Sequence, residues 1–254
     1  MIAWLHRAVR GQSANARAAP PQQRKLAVAV AGRELPVVVR RLRNARRLTL
    51  RLAPDGSEAR VSMPAWARVA DALEFARSRA DWLAQQLDRL PPPQPVGHDA
   101  LVLYRGEQHR VIWQERAARR PVIVDGQIVI GGPADGLERR LHRWLAAEAL
   151  RLCAQDLAHY CARAGQPLPR LALSRAQRRW GSCASDGTIR INWRLIMAPD
   201  AVRRSVVAHE VAHMTHFDHS PAFHAHLGAL YEGSLSGANE WLRLHGRTLY
   251  QPFG

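Results

Sequence analysis

Lysine is almost missing from this chain: Lys25 is the single example, and the other basic residues among the 37 are arginine. Arginine, alanine and proline together dominate, a signature of GC-rich codon usage, so the formal charge of +16 is part composition and part surface chemistry. Cysteine is scarce as well. Cys153, Cys161 and Cys183 form no C-x-x-C spacing and are odd in number, which argues against both a thiolate zinc site and a disulfide framework. No uncharged apolar run approaches the roughly 20 residues that a membrane span requires. Ile2–Leu5 is too short for a secretory apolar segment, and the absence of acid before Glu34 reads more simply as a polar tail than as a transit peptide. A reducing cytoplasm, away from membranes, is the expected setting.

What is present has a globular balance, 47% hydrophobic and 23% charged over 254 residues, enough for one or two domains with a buried core. Residues 1–24 lack periodicity and read as a flexible Arg/Ala/Pro-rich tail. Residues 25–90 read as β-hairpins plus an amphipathic helix. Short strands are expected over 25–31, 35–41, 47–53 and 58–63, with Asp55-Gly56 as the turn before the last. Val69, Leu73, Ala76, Ala80, Leu83, Leu87 and Leu90 then step by three and four, predicting one helix over 64–90 with a single packing face. Pro91-Pro92-Pro93 opens a linker over 91–98. Residues 99–254 begin with two hairpins, 101–104 with 109–114 and 121–124 with 127–130. A long helix over 137–164 follows, closed by Gly165. Next come a strand over 170–174 and a hairpin, 179–184 with 188–195, around Asp186-Gly187. No internal repeat is visible.

Six of the twelve histidines lie between His209 and His226. Among them stands His209-Glu210-Val211-Ala212-His213, with His219 six residues on. Pro199-Asp200 predicts a helix start, with proline at the first position and an acid in the first turn. On that helix, imidazoles at i and i+4 are about 6 Å apart and can converge on one ion. Glu210 is one residue off that face, placed to reach a water on the metal rather than the metal itself. Catalytic zinc usually takes three protein ligands and leaves a position open. His216 is poorly placed as the third, about 10 Å along the axis from His209 if the helix persists. It reads as a helix-end cation. His219 precedes Ser220-Pro221, a fresh helix start, and the turn there can return it over the metal; Glu232 and His224 are the alternatives. Asp218, Glu232 and Glu240 are the nearby acids that could support the ligands, and Tyr231, Arg194 and His224 could stabilise an oxyanion.

Arg179-Trp180-Gly181-Ser182-Cys183, Ile189–Leu195, the His209–His213 motif and His219-Ser220-Pro221-Ala222-Phe223 together resemble the YgjP-like zinc metallopeptidase family, which is related to the SprT-like zincins. The similarity spans roughly residues 33–247, and the last 80 residues or so carry nearly all of its specificity. His224 departs from it, standing where the family commonly has tryptophan. The resemblance implies an α+β fold: a zincin-like metallopeptidase core over 137–247, with an active-site helix, a small antiparallel sheet and flanking helices. A β-rich N-terminal segment with one long helix precedes it. It also implies one Zn²⁺ per chain on His209, His213 and His219, Glu210 as catalytic base, and protein or peptide substrates.

The strand Trp180, Gly181, Ser182 and Cys183 is a candidate substrate-binding edge, pairing with an extended peptide; packing of Trp180 and Cys183 in the core is the competing role. A different class of function is a nucleic-acid-associated protein whose metal site is structural or vestigial. Its basis is the charge of residues 1–53, where twelve bases face one acid. A protease recruited to DNA combines the two, by analogy with SprT-like relatives. Nothing in the residues addresses oligomeric state.

Overall fold

The computed structural model describes residues 26–90, 96–177, 179–251 and 253. The expected tail over 1–24, Lys25 and residues 91–95 of the expected linker lie outside them.

Strand β1 (Ala27–Val30) turns through Ala31-Gly32, both at positive φ, into β2 (Arg33–Leu42). Strands β3 (Thr49–Leu52) and β4 (Ala59–Pro64) form a second antiparallel pair, and β4 lies parallel to β2, giving the order β1-β2-β4-β3. Val28, Val30, Leu35, Val37, Val61 and Met63 are buried at alternating positions and form one dry face. Ala72, Ala76 and Leu83 close over it from α1 (Val69–Arg77) and α2 (Ala80–Asp88). The expected single helix over 64–90 is therefore two helices. Pro64 ends a strand, and the Ser78 hydroxyl donates to the Phe75 carbonyl at 2.9 Å, taking an acceptor from the helical ladder where the chain bends.

Strands β5 (Leu101–Tyr104), β6 (Glu107–Trp113), β7 (Val122–Val124) and β8 (Gln127–Ile130) repeat that topology: two antiparallel hairpins joined by parallel β6–β8 pairing. The order β5-β6-β8-β7 matches that of the first sheet strand for strand, a structural repeat without a sequence repeat. Helix α3 (Leu137–Ala164) follows and ends at Gly165, whose φ of +62° suits glycine.

The third sheet holds β9 (Leu171–Ser174), β10 (Gly181–Cys183) and β11 (Ile189–Asn192) in the order β10-β11-β9. It is mixed rather than antiparallel. β10 and β11 form the expected hairpin, but β11 runs parallel to β9. The Asn192 amide fixes that crossing by donating to the Ala176 carbonyl at 2.6 Å. A 3-10 turn (Trp193–Ile196) leads to α4 (Asp200–Ala212), then α5 (Pro221–Leu230) and α6 (Leu235–His245). No helix among the described residues is long and apolar enough to cross a membrane.

Helix α4 is fixed at its start and along its back. At its start, the β5–β6 turn donates Arg105 N–H to Ile196 O and Gly106 N–H to Met197 O, and Arg105 and Arg203 both pair with Asp200. A side chain at Gly106 would meet Pro199, the residue capping α4, at 2.9 Å. Along its back, buried Arg203 binds Asp156 of α3 at 2.7 Å, and Arg204 bridges Asp156 to Glu232. A helix tethered at both places can present its remaining face with little freedom.

Candidate metal centre

Val207 and Val211 bury the side of α4 opposite His209 and His213, which share a half-buried face with the buried Val202 and Val206. Their Nε2 atoms are 3.1 Å apart. The chain leaves the helix after Ala212 and re-enters one at Ser220, whose hydroxyl caps α5 by accepting from Phe223 N–H. The turn between them carries His219 back, with its Nε2 3.3 Å from that of His209. One ligand atom from each of His209, His213 and His219 lies within 4.8 Å of the others. His219 is exposed, so the group opens to solvent on one side.

The ring nitrogens are set for a cation. The His213 Nδ1–H donates to the His216 carbonyl at 2.9 Å, leaving Nε2 with its lone pair. Burial, followed by the neighbouring His213 and His219 rings, lowers the His209 pKa to about 4, so its imidazole is neutral. Three converging imidazoles with an open side fit a divalent transition metal such as zinc, which takes this donor type.

Phe223, fully buried, is the floor of the group. Its ring centroid lies 4.5 Å from that of His213, 4.9 Å from His219 and 5.0 Å from His209. It escapes a search for ligands because it offers no donor atom; its signal in the sequence is its place in the His219-Ser220-Pro221-Ala222-Phe223 segment.

Glu210 is 5% exposed and lies under β10. A side chain at Gly181 would come within 2.7 Å of Glu210 Cγ and Cδ, so only glycine lets the carboxylate reach this strand. Burial pushes the Glu210 carboxyl up to about 7, against smaller downward pulls from the Cys183 amide and Arg179. β10 is an edge strand, and antiparallel alternation places the backbone groups of Ser182 toward β11 and those of Gly181 and Cys183 toward the open side.

The other sequence candidates lie elsewhere. Trp180 packs on Tyr250, at 5.6 Å between ring centroids. The Cys183 thiol is half-buried with its pKa raised by burial and by Glu210, which disfavours a nucleophilic thiolate. Glu232 accepts from Tyr160 and Arg204, Glu240 pairs with Arg243, and Asp218 bonds Ser220. The carbonyl of His216 supports His213 instead, and the His216 ring turns toward His226. Tyr231 donates to Ala201 O, and Arg194 donates to Phe253 O while lying between Trp193 and Tyr250. The His224 ring is 6.4 Å from that of His219 and outside the ligand group.

No curated protein matches the chain. Among solved structures, it is similar to the crystal structure of the metallopeptidase zymogen of Pyrococcus abyssi abylysin, at 17% identity and a TM-score of 0.34, covering 40% of this chain and 99% of that one. The family model for the YgjP-like metallopeptidase domain matches residues 46–245, well over half of the chain. The protein belongs to the YgjP-like metallopeptidase family, as a metal-dependent peptidase acting on proteins or peptides.

Proposed function

We propose that the protein is a zinc-dependent endopeptidase of the HExxH type, with one Zn²⁺ per chain on His209, His213 and His219 and Glu210 as general base. The convergence of three imidazole nitrogens beside one buried carboxylate carries this reading. Bound there, zinc would supply a Lewis acid and lower the pKa of a water. Glu210, with its pKa near neutrality, takes the proton from the attacking water and delivers it to the leaving amine. The open edge of β10 offers the Gly181 backbone and the Cys183 carbonyl to an extended peptide, which fits cleavage within a chain. A purely structural zinc would need no buried carboxylate, which disfavours a vestigial site. The free thiols of Cys153, Cys161 and Cys183 suit a cytoplasmic setting.

The test is metal removal and return. Chelation should abolish cleavage of an unfolded protein substrate, and about one equivalent of zinc should restore it. Cleavage that persists in the metal-free protein would overturn the assignment.

A further inference from the structure

Two cavities flank the first turns of α3, with volumes of about 850 Å³ and 590 Å³, and they share Gly136 and Arg139. The larger is lined by Arg119, Arg120, Arg139, Arg140 and Arg143. The smaller adds Arg175 and the buried Arg194. Among the described residues, Asp135 and Glu138 are the only acids lining either cavity. Among the described residues none of these arginines forms an ion pair, whereas Arg105, Arg151, Arg203 and Arg204 nearby in the same core are all paired. The excess positive charge is therefore uncompensated within the fold.

Two of the lining guanidinium groups are held by backbone carbonyls, Arg140 and Arg194, while Arg119, Arg120, Arg139, Arg143 and Arg175 are exposed. Arg140 donates to the carbonyls of Pro133 and Asp135, fixing the approach to α3. A side chain at Gly136 would meet the Arg139 guanidinium at 2.8 Å, and one at Gly132 would meet Arg119 at 3.0 Å. The N-terminal end of α3, 28 residues long, adds its positive dipole between the cavities. Aromatic faces stand among the arginines. Trp144 lines the larger cavity with its ring stacked on Tyr104, at 5.1 Å and 27°. His142 lines the smaller, its ring against Trp193.

We propose that this arginine-lined double cavity is a binding site for single-stranded nucleic acid, with guanidinium groups on successive phosphates and Trp144 as a stacking platform. Arginines match phosphate geometry through paired N–H donors. An anionic bilayer presents no chain to enter a concavity, and an acidic peptide offers Trp144 no regular series of flat rings. The phosphates and bases of one strand match the arginines and the Trp144 ring that line the same cavity. The site is made of residues outside 1–53, and the proposal holds whether or not the zinc centre is a peptidase.

The test uses the full-length protein and a fluorescein-labelled oligothymidylate, followed by anisotropy over a salt series. Wild type should bind with an affinity that falls steeply with salt. The double variant Arg139→Glu/Arg143→Glu should weaken binding about tenfold or more and flatten the log–log salt slope by about 1.4, as two lost phosphate contacts require. Arg40→Glu/Arg77→Glu, an equal charge change at exposed positions elsewhere, should stay within about twofold. Trp144→Leu should cost several-fold while leaving the salt slope unchanged. Circular dichroism checks folding, and Arg139→Gln/Arg143→Gln replaces the charge swap if that variant misfolds. The proposal is overturned if wild type does not bind, or if both double variants weaken binding equally. It is also overturned if polyglutamate or phosphatidylserine vesicles bind as tightly and with the same dependence on Arg139 and Arg143.

Discussion

Gly181 lies so close to Glu210 that a single methyl group on its Cα would collide with the carboxylate. The edge strand and the proposed base are thus one fitted unit. Gly181→Ala should displace Glu210 and lower kcat by about 10²-fold, the scale of a small misplacement in a catalytic site. Zinc content should not change, since no ligand is touched. Metal analysis beside steady-state kinetics checks this; unaltered kcat would detach Glu210 from the strand.

Phe223 supports three imidazoles at once. Phe223→Ala should cost about 3–5 kcal/mol of stability by opening a cavity under the ligands, and zinc should be held more weakly. Phe223→Leu should lose less of both. Urea unfolding and zinc titration report the two effects separately.

The third ligand can be told apart from its neighbours. His219→Ala should lose most of the bound zinc, whereas His224→Ala and His216→Ala should keep it. His216 acts on His213 through its backbone carbonyl, which alanine retains. Zinc loss in His224→Ala alone would move the third ligand to that position.

Arg203 and Asp156 form a pair that is almost wholly buried behind α4. Arg203→Ala should destabilise the fold by about 3 kcal/mol, because it removes the nearer partner of the buried Asp156 carboxylate and leaves it only the longer contact with Arg204. Arg243→Ala, which breaks the exposed pair with Glu240, should cost less than about 1 kcal/mol. Chemical denaturation of the two variants gives the comparison.

Much of this arrangement was legible from local patterns. The limits of α3 follow from its apolar stripe and Gly165, and the hairpins from alternation and turn residues. His209 and His213 declare themselves by spacing, and His219 by the helix start that follows it. The features that escaped depend on contacts between distant segments. The parallel pairings β2–β4, β6–β8 and β9–β11 have no local signature, so neither the mixed third sheet nor the shared topology of the first two could be read. The stripe from Val69 to Leu90 continues in phase across the bend at Ser78, which hides the break between α1 and α2. The support of His213 by His216 uses a backbone carbonyl, which every residue possesses. Gly181 and Glu210 are distant in sequence and meet only when β10 lies over α4.

The most direct test of the zinc peptidase is the activity of Glu210→Gln in protein whose metal content has been measured. Glutamine keeps the size of the side chain but cannot accept the water's proton, so it isolates the base from the metal. The expected result is about one zinc per chain, as in wild type, with cleavage of an unfolded protein reduced to background. Retained zinc with undiminished cleavage would contradict the role given to Glu210 and the mechanism built on it.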